Sequence, residues 1–160
     1  MNADRRAELA DALRRLLPAA HRAVTDSWPD LLPVSATWSG AATKRARASV
    51  KAALDGIVPL IIQGDLNDQA WERTRHLVHG SGHAEREEVA ELLRSVRVVG
   101  VEVLADGLEE HAGLTHAERW DLQREVSAYC DNLLGENEEL EQGAYSETFA
   151  ELERSGPDIR

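Results

Sequence analysis

The sequence predicts an all-α protein, a single bundle of about five to six helices with a long C-terminal helix. Apolar residues recur every three or four positions along most of the 160-residue chain, which is the spacing of an amphipathic helix. Aromatic residues make up only 4%, so Leu, Val, Ile and Ala must form the core, which suits a helix bundle better than a β-sandwich. Thr115 and Glu118 form a Thr-x-x-Glu capping box, a helix start signal.

The first helix is predicted over about residues 4–27. Its apolar positions are Leu9, Leu13, Leu16, Leu17 and Val24. Pro18 predicts a new turn or a kink, because proline lacks an N–H group and clashes with the preceding turn. Pro29 and Pro33 predict a loop that holds Trp28 and Trp38.

The second helix is predicted over about residues 42–62. Its apolar stripe consists of Val50, Leu54, Ile57, Val58 and Ile61. Pro59 should bend it and Gly64 should end it. A short strand over residues 58–62 is the alternative, although no alternating partner strand follows.

The third helix can be capped by Asn67 or Asp68, and the segment Gly80-Ser81-Gly82 should end it. It carries Trp71, Leu77 and Val78. The fourth helix is predicted over about residues 84–111. Its wide apolar face predicts a central place in the bundle, and the face comprises Val89, Leu92, Leu93, Val96, Val99, Val103, Leu104 and Leu108.

The fifth helix should start after the capping box and extend as far as Leu152. Gly135 and Gly143 weaken it locally. The pattern ends at Ser155, so residues 1–154 are predicted as one helical sensory or interaction domain and residues 155–160 as a linker or tail. The run from residue 131 to 153 is strongly acidic and is interpreted as a solvated helix face.

The charge balance restricts the partners. The chain has 18 basic and 29 acidic residues, a net charge of −11, so it should repel the phosphate backbone of nucleic acids and an acidic membrane surface. The N-terminus shows no signal peptide, and the longest apolar run, residues 57–62, is too short to span a bilayer. A single cysteine, Cys130, excludes an internal disulfide and fits a reducing compartment. We expect a cytoplasmic protein.

Three histidines are the first candidates for chemistry. His76, His79 and His83 have the spacing H-x-x-H-x-x-x-H, which on one helix could bind zinc. Two glycines interrupt that helix, so we interpret the group as a polar helix end. A haem site is the related alternative, but the chain has one phenylalanine, Phe149, to pack on a porphyrin. We predict no metal, no cofactor and no catalytic residue; Cys130 is interpreted as a small buried side chain.

Two further sets of residues are candidate sites. Arg94 and Arg97 lie on an otherwise apolar helix and form either its polar rim or a contact to a partner or an anionic ligand. With Trp71 and Trp120 they define a candidate ligand pocket. The candidate dimer or interaction stripe lies on the fifth helix; the alternative is that it is ordinary bundle core. It comprises Leu122, Val126, Tyr129, Leu133 and Leu140.

The segment EVAELLRSVRVVG (residues 88–100) resembles a hydrophobic-Leu-Leu-Arg-Ala-Tyr-Arg-x-Gly motif. VSAYCDNL (residues 126–133) is similar to a Val-x-x-Tyr-hydrophobic-Asp helix, and residues 80–91 resemble the Gly-rich segment before it. These motifs belong to the N-terminal sensory domain of PucR/CdaR-type transcriptional regulators and of RsbR-like stressosome proteins. The resemblance covers about residues 77–149. The sequence departs from it at Val96, where an aromatic residue is usual, and at Glu87 or Glu88, where a glycine is usual.

The resemblance implies an all-helical, globin-like input domain without haem, joined to a helix-turn-helix or scaffold module elsewhere. We therefore expect a non-catalytic regulatory input and protein-interaction domain of a bacterial regulator or stress-signalling protein. Its partner would be a second copy or another protein domain. The alternatives are a small-molecule, haem or metal-binding helical sensor, and a helical metalloenzyme.

Overall fold

The computed structural model describes residues 1–64, 68–79 and 86–155, and the side chains in these ranges except those of 68, 86 and 136–155. Every regular element in these ranges is helical and none is a strand, which confirms the predicted all-α bundle. Asn67, the Gly80-Ser81-Gly82 segment, His83 and the tail beyond Ser155 lie outside the described residues. None of the described helices is long and apolar enough to cross a membrane.

The described helices follow one another with short connections. They are α1 (Ala3–Leu31), a 3₁₀ turn (Pro33–Thr37), α2 (Gly40–Asp55), α3 (Ile57–Gln63), α4 (Asp68–His79), α5 (Arg86–Ser95), a π-turn (Val96–Gly100), α6 (Val101–Ala112) and α7 (His116–Ser155). The five predicted helices therefore correspond to α1, to α2 with α3, to α4, to α5 with the π-turn and α6, and to α7. α1 contacts α2, α3, α5, α6 and the π-turn, so it shares the centre of the bundle with the predicted central helix.

The predicted loop at Trp28 is wrong, because α1 continues through both Pro18 and Pro29 to Leu31. Trp28 is buried and meets the ring of Trp38 edge to face, with centroids 5.5 Å apart. Its indole N–H donates to the Ser95 hydroxyl at 3.3 Å. Burial of this ring against the bundle outweighs the cost of a proline near the helix end.

The second predicted helix breaks at Gly56, three residues before the predicted bend at Pro59. Pro59 lies in the first turn of α3, where an N–H group is not needed for helical bonding. A Cβ atom at Gly56 would collide with the hydroxyl of Tyr129, so the break occurs where the Tyr129 side chain of α7 approaches the backbone. The strand alternative is wrong, since residues 57–63 are helical; Gly64 ends α3 in the left-handed conformation, as predicted.

The helix predicted over residues 84–111 contains a π-turn that the periodicity did not indicate. On its C-terminal side, α6 approaches α1 closely at Gly107. A Cβ atom there would lie 2.6 Å from Leu16 Cδ2, so glycine allows the two helix backbones to come together.

α7 begins with the predicted capping box. The Glu118 N–H donates to the Thr115 hydroxyl at 3.1 Å, and the Thr115 N–H donates to the Glu118 carboxylate at 3.0 Å. The helix then runs for 40 residues, a length of about 60 Å at 1.5 Å per residue. Its described core contacts all come from the first half, since Leu133 is the last buried residue in the described part of α7.

Candidate interaction site

The predicted interaction stripe on α7 packs inside its own bundle. Leu122, Val126, Tyr129 and Leu133 are 3%, 1%, 3% and 0% exposed. Side chains buried to this degree cannot form an open dimer face, so the assignment of these four residues to an interface is wrong. The weighed alternative, ordinary bundle core, is what the structure shows. The side chain of Leu140 lies outside the described part.

The four residues of the predicted ligand pocket are not brought together. Trp71 packs edge to face on Tyr129 at 6.4 Å between centroids, whereas Trp120 is 62% exposed near the start of α7. Nine residues separate Trp120 from Tyr129, which is about 14 Å along a helix. None of the four lines either of the two grooves described below.

Arg94 and Arg97 are both exposed and form a polar rim. Arg94 pairs with Glu91 on the same helix at 3.3 Å. Arg97 reaches across to Asp131 on α7, with 2.8 Å between the guanidinium nitrogen and the carboxylate oxygen. Arg97 therefore connects the π-turn to α7, at the surface, where such a pair contributes little to stability.

His79 is buried, which corrects its interpretation as part of a polar helix end. Its Nε2 lies 2.9 Å from the carbonyl oxygen of Leu133, and because a carbonyl only accepts, Nε2 donates. Its Nδ1 is buried and has no hydrogen-bond partner within the part of the chain that the structure describes. His76 is exposed on the same helix. In the described ranges no three His, Cys, Asp or Glu side chains are placed to hold a metal ion.

Cys130 lies in the core beside Tyr129, 1% exposed. Burial raises the pKa of its thiol to about 12, because an apolar environment disfavours the thiolate. The reactive form is the thiolate, so this side chain is suited to packing.

We therefore expect Cys130 to resist a thiol reagent such as dithionitrobenzoate in the native protein at neutral pH and to react completely in denaturant. The measurement is the absorbance of the released thionitrobenzoate with time. A variant with an exposed cysteine, Ala128→Cys, serves as the control, because position 128 is exposed and lies two residues before Cys130 on the same helix. Rapid labelling of the native wild type would contradict a buried thiol.

Two arginines at the start of α1 connect it to the ends of α3 and α6 and to the first half of α7. The sequence pattern did not indicate these contacts. The Arg5 guanidinium donates to the carbonyls of Ala112 at 2.9 Å and Gly113 at 3.2 Å, and forms a two-point contact with Glu118 at 2.8 and 2.9 Å. Arg5 therefore caps carbonyl groups at the end of α6 and pairs with the Glu118 carboxylate in the first turn of α7. This contact, with the Thr115 N–H, lowers the pKa of Glu118 to about 2.

Arg6 likewise contacts two other helices, α3 and α7. One of its guanidinium nitrogens donates to the Ile61 carbonyl, near the end of α3, at 2.9 Å. Another pairs with Glu125 on α7 at 3.0 Å. α7 is thus fixed to the start of α1 at two successive arginines, which holds its first half in a defined direction.

Two open grooves are present on the described surface. One, of about 500 Å³, lies between α4 and the junction of α2 with α3. The other, of about 460 Å³, lies between α1 and α2, and its lining residues are Arg14, Leu17, Pro18, His21, Arg22, Lys51, Leu54 and Asp55. We call the second the α1–α2 basic groove.

The electrostatics of the α1–α2 basic groove follow from its pairings. Arg14 pairs with Asp11 and Lys51 with Asp55, each within its own helix. Arg22 has no ion-pair or hydrogen-bond partner for its guanidinium among the described residues. His21 lies beside α2, since its Nε2 is 3.2 Å from the carbonyl oxygen of Arg47. The groove therefore has free positive charge.

Comparison with protein-family models, curated proteins and solved structures finds no match to the chain.

Proposed function

We propose that the chain is a regulatory input and protein-interaction domain without catalytic activity of its own, which docks on a second copy through the distal half of α7, residues 136–155. The observation that carries this proposal is α7 itself. One helix of 40 residues combines a first half that is core of the bundle with a second half that continues it. A helix of this form can carry a change in the bundle outwards to a partner.

The chemistry of the distal half supports docking. Its sequence contains seven acidic residues and one basic residue, Arg154. Leu140 and Ala144, four residues apart, share one face of the helix, and Phe149 and Leu152, three residues apart, share another face. A helix can pack on a partner through such apolar faces and use its charges to choose the partner.

The links between the bundle and α7 support a signalling role. Arg97 joins the π-turn to Asp131, and His79 joins the end of α4 to the Leu133 carbonyl. A shift of α4 or of the π-turn therefore acts on α7 next to the point where its distal half begins. This arrangement agrees with the resemblance to input domains of bacterial cytoplasmic regulators.

Light scattering after size exclusion tests the docking. We expect the wild type to elute with twice the 17.7 kDa chain mass, and the double variant Leu140→Asp/Phe149→Asp to elute as a monomer with an unchanged melting temperature. Two charges placed in an apolar contact should weaken it by several kcal/mol.

The matched control is Ala128→Asp, a charge placed at an exposed position in the proximal half of the same helix; it should stay dimeric. A monomeric wild type over the accessible concentration range would overturn the proposal. So would a dimer that tolerates both distal substitutions.

A further inference from the structure

The groove between α4 and the α2–α3 junction carries one positive and one negative side chain on opposite walls. We call it the α4 groove, and its lining residues are Ala52, Asp55, Gly56, Pro59, Gln69, Ala70, Arg73, Thr74 and Leu77. Its volume of about 500 Å³ is in the range of small-molecule sites. Within this lining the charged residues are Asp55, at the end of α2, and Arg73, on α4. The groove therefore presents two opposite charges to one space.

Arg73 and Asp55 do not pair with each other. Asp55 uses one carboxylate oxygen, Oδ2, to pair with Lys51 on its own helix at 2.7 Å, and its other oxygen has no hydrogen-bond donor among the described residues. The Arg73 guanidinium has neither an ion pair nor a hydrogen bond within the described ranges. Both side chains are exposed, so each can take a partner that arrives from solvent.

The two walls of the α4 groove meet at Gly56 and Thr74. A Cβ atom at Gly56 would lie 3.1 Å from Thr74 Cγ2, so the Thr74 side chain packs directly on the α2–α3 junction. Thr74 is buried and forms the base of the groove there. Asp55 and Arg73 directly precede these two residues in the chain, so they stand at about the same level on opposite walls. A ligand that lies on this base has a cation on one side and an anion on the other.

The remaining lining is suited to an uncharged group. Leu77 is 49% exposed and follows Arg73 by four residues, so the two share one face of α4. The opposite wall contributes Ala52 and Pro59, both partly buried. A ligand with two charges and a short apolar side chain would cover the exposed part of Leu77 while its charged groups reach Arg73 and Asp55.

We propose that the α4 groove binds a free α-amino acid, with its carboxylate on Arg73, its ammonium group on Asp55 and its side chain against Leu77. A guanidinium takes a carboxylate at two points, and a carboxylate oxygen accepts from an ammonium group. A simple anion would be repelled by Asp55 and a simple cation by Arg73, so the groove favours a molecule that carries both charges. The inference goes beyond the proposed function, because it assigns a ligand, and binding does not depend on dimerisation.

Calorimetric titration of the full chain with each of the proteinogenic L-amino acids tests the site. We expect at least one with an apolar side chain to bind in the micromolar to millimolar range, since the groove is open to solvent. Two analogues of that amino acid separate the charges: its amide lacks the carboxylate, and its deaminated acid lacks the ammonium group. Each should bind about tenfold more weakly or worse, because each loses a charge-assisted contact.

The protein variants are Arg73→Gln and Asp55→Asn, and each should weaken amino-acid binding by about tenfold. Arg73→Gln should leave binding of the amide unchanged, and Asp55→Asn should not weaken binding of the deaminated acid. Both variants should fold, because Arg73 makes no described ion pair and Asp55 loses only an exposed one. The matched controls are Arg45→Gln and Asp26→Asn, the same changes at exposed positions outside the groove, which should bind like the wild type.

Three outcomes would overturn the inference. The first is a wild type that binds none of the amino acids. The second is Arg73→Gln or Asp55→Asn binding the amino acid as tightly as the wild type does. The third is a double variant, Arg73→Gln/Asp55→Asn, that is no less stable in urea than either destabilised single variant, which would show that the two charges pair across the groove in solution. None of these results affects the proposed function, whose own failure, a monomeric wild type, leaves amino-acid binding intact.

Discussion

Replacing Leu133 by aspartate is expected to unfold the bundle. Leu133 is 0% exposed, and a carboxylate at this position would be buried without a partner while the lost side chain leaves a cavity. Each effect costs several kcal/mol, a large part of the 5–15 kcal/mol by which domains are typically stable. Far-UV circular dichroism and urea denaturation measure the loss.

The matched control for Leu133→Asp is Asn132→Asp, which adds the same charge at the adjacent exposed position and should change stability by less than about 0.5 kcal/mol. Leu133→Met keeps the volume and should remain folded. A Leu133→Asp protein that is folded and monomeric while the wild type is a stable dimer would show instead that Leu133 belongs to an interface.

Replacing Arg5 by alanine is expected to destabilise the protein by about 2–4 kcal/mol, because it leaves two helix-end carbonyls and a partly buried carboxylate without their charged donor. Arg5→Lys should recover only part of the loss, since an ammonium group cannot make the two-point contact with Glu118. The free energy of unfolding in urea gives both values. The control is Arg124→Ala, an exposed arginine paired within its own helix, which should cost less than about 0.5 kcal/mol.

The same contact predicts a pH dependence. Arg5, together with the Thr115 N–H, lowers the pKa of Glu118 from 4.5 to about 2, so the folded protein binds this proton less readily than the unfolded chain. The stabilisation is therefore present above about pH 4.5 and is lost as pH falls towards 2. The difference in stability between wild type and Arg5→Ala should shrink over this range. A difference that stays constant from pH 7 to pH 3 would mean that Arg5 stabilises the fold through the Ala112 and Gly113 carbonyls and packing, and not through Glu118.

Local signals in the sequence predicted much of the fold. The capping box at Thr115 and the stop at Gly64 depend on residues a few positions apart, so a sequence pattern contains them. The helix break at Gly56 does not, since it is set by Tyr129, whose hydroxyl donates to the Ala53 carbonyl from 76 residues away. Helix α1 likewise passes Pro29 because Trp28 is buried by distant parts of the chain.

The candidate sites show the same limit. An apolar stripe on a helix indicates that the stripe is covered, but periodicity does not indicate whether its own bundle or a second copy covers it. The stripe from Leu122 to Leu133 is covered by the bundle. The sequence pattern did not indicate the α1–α2 basic groove, because its cations come from two helices and α1 itself carries as many acidic as basic residues. The packing of α1 against α2, which includes the contact between His21 and the Arg47 carbonyl, brings them together.

The π-turn at Val96–Gly100 determines where the chain can lose one residue without turning buried side chains away from the core. Apolar positions four residues apart drift by roughly 40° per step around a regular α-helix, and Leu92, Val96, Gly100, Leu104 and Leu108 are spaced in this way and are all buried. The wider turn takes up one residue more than a regular helix needs, which rotates the later positions back towards the core. Loss of one residue here would leave both halves in phase, whereas loss of one from α6 would rotate everything after it.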